Sequence, residues 1–259
     1  MDLGIQGRKA LVCASSQGLG YACALALAQA GCSVYLNGRQ AEKLERAAQS
    51  IREQTGAAVL AVVADLDTEA GRAALLAACP EPDILVNNNA GPPPGQLEDW
   101  DQAAWSSALQ SNLVSAALLL RAVLPGMRAR GFGRVVNITS AMVKTPHAAM
   151  GLSTAARAGL TALSRALARE AIADGVTINN LLPERFDTPR QEFMAQKLMQ
   201  DKRIDRDQAR QLIADTLPAR RFGKPEEFGA TCAFVCSQHA GFMTGQNLQL
   251  DGGSYWGLV

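Results

Sequence analysis

Lys9-Ala10-Leu11-Val12-Cys13-Ala14-Ser15-Ser16-Gln17-Gly18-Leu19-Gly20 begins as an apolar run, breaks into small residues and opens into the helical pattern Leu19 to Ala30. The apolar part suits a buried strand. A helix that starts on such a turn leaves its first backbone N–H groups without intrahelical partners. Those donors and the positive end of the helix dipole suit a pyrophosphate, and glycine lets the backbone approach one closely. On this reading Ser15, Ser16, Gly18, Leu19 and Gly20 form a cofactor-binding turn, although small residues also make plain strand-to-helix connections.

The same rhythm continues along the chain. Strand-like runs recur at Lys9 to Ala14, Ser33 to Asn37, Ala57 to Val63, Ile84 to Asn87, Arg134 to Ile138, Val176 to Leu182 and Asn247 to Leu250. Helical patterns between them include Leu19 to Ala30, Ala41 to Gln54, Trp105 to Met127, Thr154 to Ala173 and Pro225 to Ser237. Strict alternation predicts an α/β fold, a doubly wound parallel sheet of seven strands (Rossmann fold) with helices on both faces. No composition break divides residues 1–259, so a single dinucleotide-binding domain is expected. One excursion, 184–221, carries charged helical pieces and is expected to lie over the ligand crevice as a substrate lid.

Apolar residues make up 48% of the sequence and charged ones 19%, which suits a globular enzyme. Lys and Arg number 25 against 24 Asp and Glu, so no footprint for nucleic acid or an anionic membrane is present and a small-molecule partner is expected. The cysteines at 13, 23, 32, 79, 232 and 236 form no CxxC and no ligand grouping with His147 and His239. Cys232 and Cys236 share a helix face and could be read as a ligand pair, but packing is the simpler reading and no metal is expected. No basic-then-apolar leader opens the chain, and Arg121 breaks the most apolar stretch, Ala116 to Leu124, so a cytoplasmic location is expected.

The second strand ends in Asn37-Gly38-Arg39, without the acidic residue that would bind a ribose 2′-hydroxyl. Arg39 can pair with a 2′-phosphate instead, which points to NADP in preference to NAD; the bland alternative is a solvated arginine at a helix start. Asp65, ending the third strand, suits the adenine amino group and equally suits a cap on the next turn.

The sequence resembles the short-chain dehydrogenase/reductase family, in particular the branch similar to 3-oxoacyl-carrier-protein reductases. The resemblance spans nearly the whole chain. It rests on Gly18-Leu19-Gly20, Asp83-Ile84-Leu85-Val86-Asn87-Asn88, Asn112, Gly133-Arg134-Val135-Val136-Asn137-Ile138-Thr139-Ser140, Arg157-Ala158-Gly159-Leu160, Gly245 and Asp251-Gly252-Gly253. It implies catalysis by Ser140 and Asn112 together with a Tyr and a Lys. The family interval puts Ser153 in the Tyr slot and Arg157 in the Lys slot, an alteration similar to that of a small subgroup. Asn88, Arg157 and Thr188 join the cofactor-binding residues on the same resemblance. Further departures are Ala14 for the first glycine of the turn, Asn89-Ala90 for the usual Ala-Gly, and Glu184 for the Gly after Pro183. A gapped register would instead align Asn88-Asn89-Ala90-Gly91; the ungapped one keeps the interval to Trp105 and Asn112.

In the family the tyrosine donates the proton to the carbonyl oxygen as hydride arrives, and the lysine binds ribose. A serine hydroxyl is far less acidic and stops roughly 4 Å short of a phenol's reach. Arginine keeps the charge and can anchor ribose, but holds its proton too tightly to give it up. A water between Ser153 and Arg157, or Lys144 or His147 in the loop after Ser140, are alternative proton sources. Pro92-Pro93-Pro94 stiffens the loop above the crevice. Leu118, Leu119, Leu163 and Leu167 are expected on an outer seam forming a homodimer or homotetramer, with Tyr255 and Trp256 at an interface. Two readings stay open: an NADP-dependent reductase of a ketone or 3-oxoacyl-like substrate, and an inactive nucleotide- or partner-binding homologue.

Overall fold

The computed structural model describes residues 1–258. Seven parallel strands, β1 (Lys9–Val12), β2 (Ser33–Gly38), β3 (Val59–Val63), β4 (Ile84–Asn87), β5 (Gly133–Ile138), β6 (Val176–Pro183) and β7 (Asn247–Leu250), pair in the order β3-β2-β1-β4-β5-β6-β7. Strand order reverses between β1 and β4, which opens a crevice at their carboxyl ends.

Alternation along each strand feeds two apolar layers. Ala10, Val12, Val34, Leu36, Ile84 and Val86 face the core packed under α1 (Gly18–Gln29), α2 (Ala41–Thr55) and α9 (Pro225–Cys236). Leu11, Leu85, Val135 and Ile178 face the opposite layer, under α3 (Glu69–Ala78), α5 (Ser115–Ala129) and α6 (Gly151–Ala171), with α4 (Gln102–Leu109) packed on α6. All six cysteines are buried and free, and burial pushes the Cys13 and Cys32 thiols up to about 12, which suits packing residues.

Three departures from the sequence expectation have local causes. The first strand stops at Val12, because Ala14 turns into the left-handed region with φ 43°. That conformation crowds a Cβ and costs Ala about 1 kcal/mol. The helix α3 had no strong apolar period; Thr68 starts it by accepting from the Gly71 N–H. The helix expected from Trp105 to Met127 is interrupted by a π-turn, Gln110–Val114, where the Ser115 hydroxyl donates to the carbonyls of Gln110 and Leu66, both at 2.9 Å.

By length and composition alone, the 28-residue run Gln102–Ala129 could cross a membrane. Here Leu119, Leu120, Val123 and Met127 are buried against the sheet. Leu119 is therefore a core residue, not part of the outer seam expected from its spacing, because it lies on the sheet side of α5. The outer face of these helices instead presents Leu109 and Val114, each 36% exposed, beside the half-buried Leu118, Leu163 and Leu167. The 184–221 segment contains α7 (Pro189–Lys202) and α8 (Arg206–Ala214), which bury Ala195, Ala209 and Ile213 in a small core of their own.

Candidate active site

The cofactor end of the crevice is built on the amino terminus of α1. Gln17 provides no side-chain cap and the first turn holds no acidic residue, so its N–H groups stand ready for an anion. Gly20 is packed so closely that a Cβ would lie 2.5 Å from the Ala14 oxygen and 2.8 Å from Asn88 Nδ2. Asn88 Nδ2 donates to that same Ala14 oxygen at 3.1 Å, tying the end of β4 to the turn. Above Gly18, a Cβ would sit 3.7 Å from the side chain of Thr188, which precedes α7. Thr188 and the turn therefore face each other across the crevice.

Ser15 is fully buried and its hydroxyl is used by the fold, donating to Val12 O at 2.8 Å and accepting from Asn37 N at 3.0 Å. Its backbone N–H is taken as well, donating to Asn37 O at 2.8 Å, so Ser15 serves to shape the turn. Ser16 and Arg39 flank Gly38 at the end of β2, Arg39 exposed and without a carboxylate partner among the described residues. Asp65 is exposed, and one oxygen is taken by the Asp67 N–H at 3.1 Å, so it shapes its own turn.

Beneath the catalytic end, four side-chain amides run across the sheet at paired positions. Asn87 donates to Asn137 at 2.8 Å, Asn137 to Asn180 at 3.0 Å and Asn180 to Asn247 at 2.8 Å. Asn137 also donates to Ser164 of α6 at 2.9 Å. This row lies two residues beyond the apolar row Leu85, Val135 and Ile178, on the same face, and fixes α6 against the strand ends.

Ser153 and Arg157 lie one turn apart on α6 and are both buried. Arg157 Nε donates to Ser153 Oγ at 3.1 Å, while Nη1 donates to Ile138 O at 2.8 Å and Thr139 O at 3.0 Å. Its Nη2 donates to Asn89 O at 3.3 Å. The guanidinium thus clasps the end of β5 and the loop after β4, a task its planar fork suits and an ammonium would perform with fewer fixed donors. Burial first, and then the charge of Arg190, bring Arg157 down to about 10, so it remains charged at neutral pH. Ser140, half-buried, accepts from Met142 N at 3.2 Å and keeps its own proton to donate.

Asn112 sits in the π-turn, its Nδ2 donating to Ala90 O and Ala108 O, both at 3.4 Å. The amide oxygens of Asn112 and Asn87 have no protein partner, and both residues line a cavity of about 20 Å³ together with Arg157. That exceeds the ~10–15 Å³ one water needs.

Ser140, Ser153, Arg157 and Asn112 are thereby gathered around the ends of β4 and β5. Lys144 turns away, donating to Gln249 at 3.2 Å and lying 5.0 Å over the Tyr255 ring. His147 is exposed and caps a short turn by accepting from Ala149 N. Trp256 is 96% exposed. Two site features escaped sequence reading. One is the amide row, visible only as asparagines near four strand ends. The other is Asp67, whose carboxylate binds Ser111, Ser115 and Asn89 and so holds the π-turn in place.

Comparison with known proteins identifies the family. The family described as Enoyl-(Acyl carrier protein) reductase matches residues 13–255. Dehydrogenase/reductase SDR family member 4 of Oryctolagus cuniculus is 31% identical over 255 residues, spanning 96% of this chain and 94% of the relative. NADPH-dependent reductase BacG of Bacillus subtilis (strain 168) is 28% identical over 252 residues, spanning 95% and 97%. The crystal structure of L-sorbose reductase from Gluconobacter frateurii, complexed with NADPH and L-sorbose, matches with a TM-score of 0.95 at 32% identity, covering 100% of both chains. The chain belongs to the short-chain dehydrogenase/reductase family.

The clasp role of Arg157 has a measurable consequence. Arg157→Met strands the carbonyls of Ile138, Thr139 and Asn89, and each buried acceptor left unpaired costs about 1–3 kcal/mol. Denaturant unfolding should show a loss in or above that range, with Arg157→Lys losing less. An Arg157→Met variant as stable as the parent would mean the guanidinium holds nothing together.

Proposed function

We propose that this chain is an NADPH-dependent reductase of a ketone or 3-oxoacyl-like substrate. The observation that carries the reading is the uncapped amino terminus of α1, with Thr188 facing it and the unpaired Arg39 at the end of β2. The related L-sorbose reductase and BacG, whose names specify NADPH, support the choice of cofactor. The residues fit the dinucleotide: the α1 amides and Thr188 hold the pyrophosphate, Ser16 and Arg39 the 2′-phosphate, Asp65 the adenine, and Asn88 keeps the turn in shape. NADPH, when bound, supplies hydride to the carbonyl carbon.

The protein's own part is to hold the carbonyl and deliver a proton. Ser140 donates a hydrogen bond to the carbonyl oxygen, and the fixed charge of Arg157 stabilises the negative charge that develops there. With no phenol at position 153, the proton comes from a water held beside Ser153 and Arg157. Loss of a dedicated acid lowers the rate by roughly 10²- to 10⁴-fold, so slow turnover is expected. The 184–221 segment acts as the lid. The second reading, a non-catalytic binding homologue, is favoured by one observation: four of the Arg157 hydrogen bonds already go to protein atoms.

Pairing of chains through the outer faces of α4 to α6 covers Leu109, Val114, Leu118, Leu163 and Leu167. Sedimentation at micromolar concentration should therefore give a dimer or tetramer; a monomer would rule the seam out.

Calorimetric titration separates the cofactor claims. NADPH should bind more tightly than NADH, and Arg39→Ala should remove that preference by weakening NADPH alone. Equal binding of the two dinucleotides by the parent would contradict the role of Arg39, and absence of binding would contradict the reductase reading as a whole.

A further inference from the structure

Two guanidinium groups bracket the loop between β4 and α4, and among the described residues no carboxylate answers either of them. Arg157 Nη2 donates to Asn89 O at 3.3 Å, and Arg190 Nη2, from the first turn of α7, donates to Pro92 O at 3.3 Å. Only Ala90 and Gly91 separate these two carbonyls. A Cβ placed on Gly91 would lie 3.4 Å from Arg157 Nη2 and 3.5 Å from Ser153 Oγ, so the loop passes directly in front of the altered pair. A side chain there would stand directly against the guanidinium.

The charges around this loop do not balance. Among the described residues neither Arg157 nor Arg190 has an ion-pair partner. Within the 184–221 segment Arg185 has Glu184 at 3.6 Å, Arg206 has Glu192 at 2.8 Å and Arg210 has Asp187 at 2.8 Å, whereas Arg203 and Arg220, like Arg190, have no ion pair among the described residues. The proximity of the unanswered pair is visible in its effect on protonation, since the Arg190 charge acts with burial to lower Arg157. Two like charges repel each other, and Arg157 is also buried away from water, so an anion beside them relieves both costs. Arg190 has only one of its five N–H groups engaged, and Arg157 has one left on Nη2.

We infer that Arg157 and Arg190 form an anion-binding pair for the substrate, which makes the substrate class a ketone carrying a carboxylate or phosphate group, held between α7 and α6. This deepens the reductase reading and rests on it. Arg190 provides the exposed, rim-side half of the pair and Arg157 the buried half. Because Arg190 lies two residues after Thr188, the same charge could serve the phosphates of the dinucleotide. The two sources of phosphate or carboxylate charge are separable by experiment.

Three measurements on the full chain make that separation. The first is calorimetric titration of the ligand-free protein with a short, non-reducible dicarboxylate and with inorganic phosphate. The parent should bind at least one of them, and Arg190→Gln should weaken that binding by about 10- to 100-fold, the span of one charge-assisted hydrogen bond. Arg190→Lys should recover part of it. The second is reduction of a 3-oxo carboxylate against its neutral methyl ester. The parent should favour the acid in kcat/KM by a similar factor, through KM, and Arg190→Gln should erase the difference while leaving turnover of the ester intact. The third is the Kd for NADPH, which should be the same in parent and Arg190→Gln. Weakened NADPH binding with unchanged discrimination between acid and ester would assign the charge to the cofactor and overturn the inference. Reduction of neither compound, with NADPH bound, would sink the reductase reading instead, and failure of the dicarboxylate and phosphate to bind would sink the anion pair independently of turnover.

Discussion

The row of amides Asn87, Asn137, Asn180 and Asn247 is the constraint on which the site depends. Four strand ends are held at one level by hydrogen bonds of 2.8–3.0 Å in a layer that is otherwise apolar. Buried amides left unpaired would each carry a desolvation cost, so the row is stable only in the register observed, and a one-residue slip of any strand would break it. Through Ser164 the same row sets the height and rotation of α6. Ser153 and Arg157 inherit their positions from that docking.

One layer above, Arg157 converts the altered pair into a structural element. A lysine in that slot would offer a compact charge, whereas the planar fork reaches Ile138 O, Thr139 O and Asn89 O together. The substitution therefore trades a mobile, cofactor-directed charge for a fixed one that closes the loop after β4 onto the end of β5. Ser153 fits this role, because a short hydroxyl can accept from Nε where a phenol would project past it. The two replacements make sense as one change in geometry. Asp67 supports the opposite wall by fixing the π-turn that carries Asn112, so both walls of the site are held by polar contacts whose partners are specified.

Much of this was legible in the chain. Short apolar runs set between helical patterns located all seven strands, because parallel strands covered on both faces must be such runs. Ser140, Ser153, Arg157 and Asn112 came from the family resemblance, and they lie around the ends of β4 and β5. What sequence could not give depends on contacts between distant segments. The π-turn follows from Ser115 meeting Leu66, far away in sequence, and an apolar helical run carries no sign of it. The face assigned to Leu119 was wrong because Leu119 lies on the sheet side of α5 while its neighbour Leu118 stays half-buried. Positive φ at Ala14 was foreseeable from the family's glycine, but only the coordinates show that Ala accepts the strain. The clasping of Arg157 by three carbonyls, like the lack of a counter-charge for Arg190, is a property of assembled loops.

The central claim is that an altered pair on α6 still supports hydride transfer to a carbonyl. Incubation with NADPH deuterated at the transferable position, using a panel of ketoses and 3-oxoacyl compounds, tests it most directly. The account requires deuterium at the carbinol carbon of a product, at a rate that falls when Ser140 is changed to Ala. Saturable NADPH binding without deuterium transfer to any carbonyl compound in the panel would contradict it.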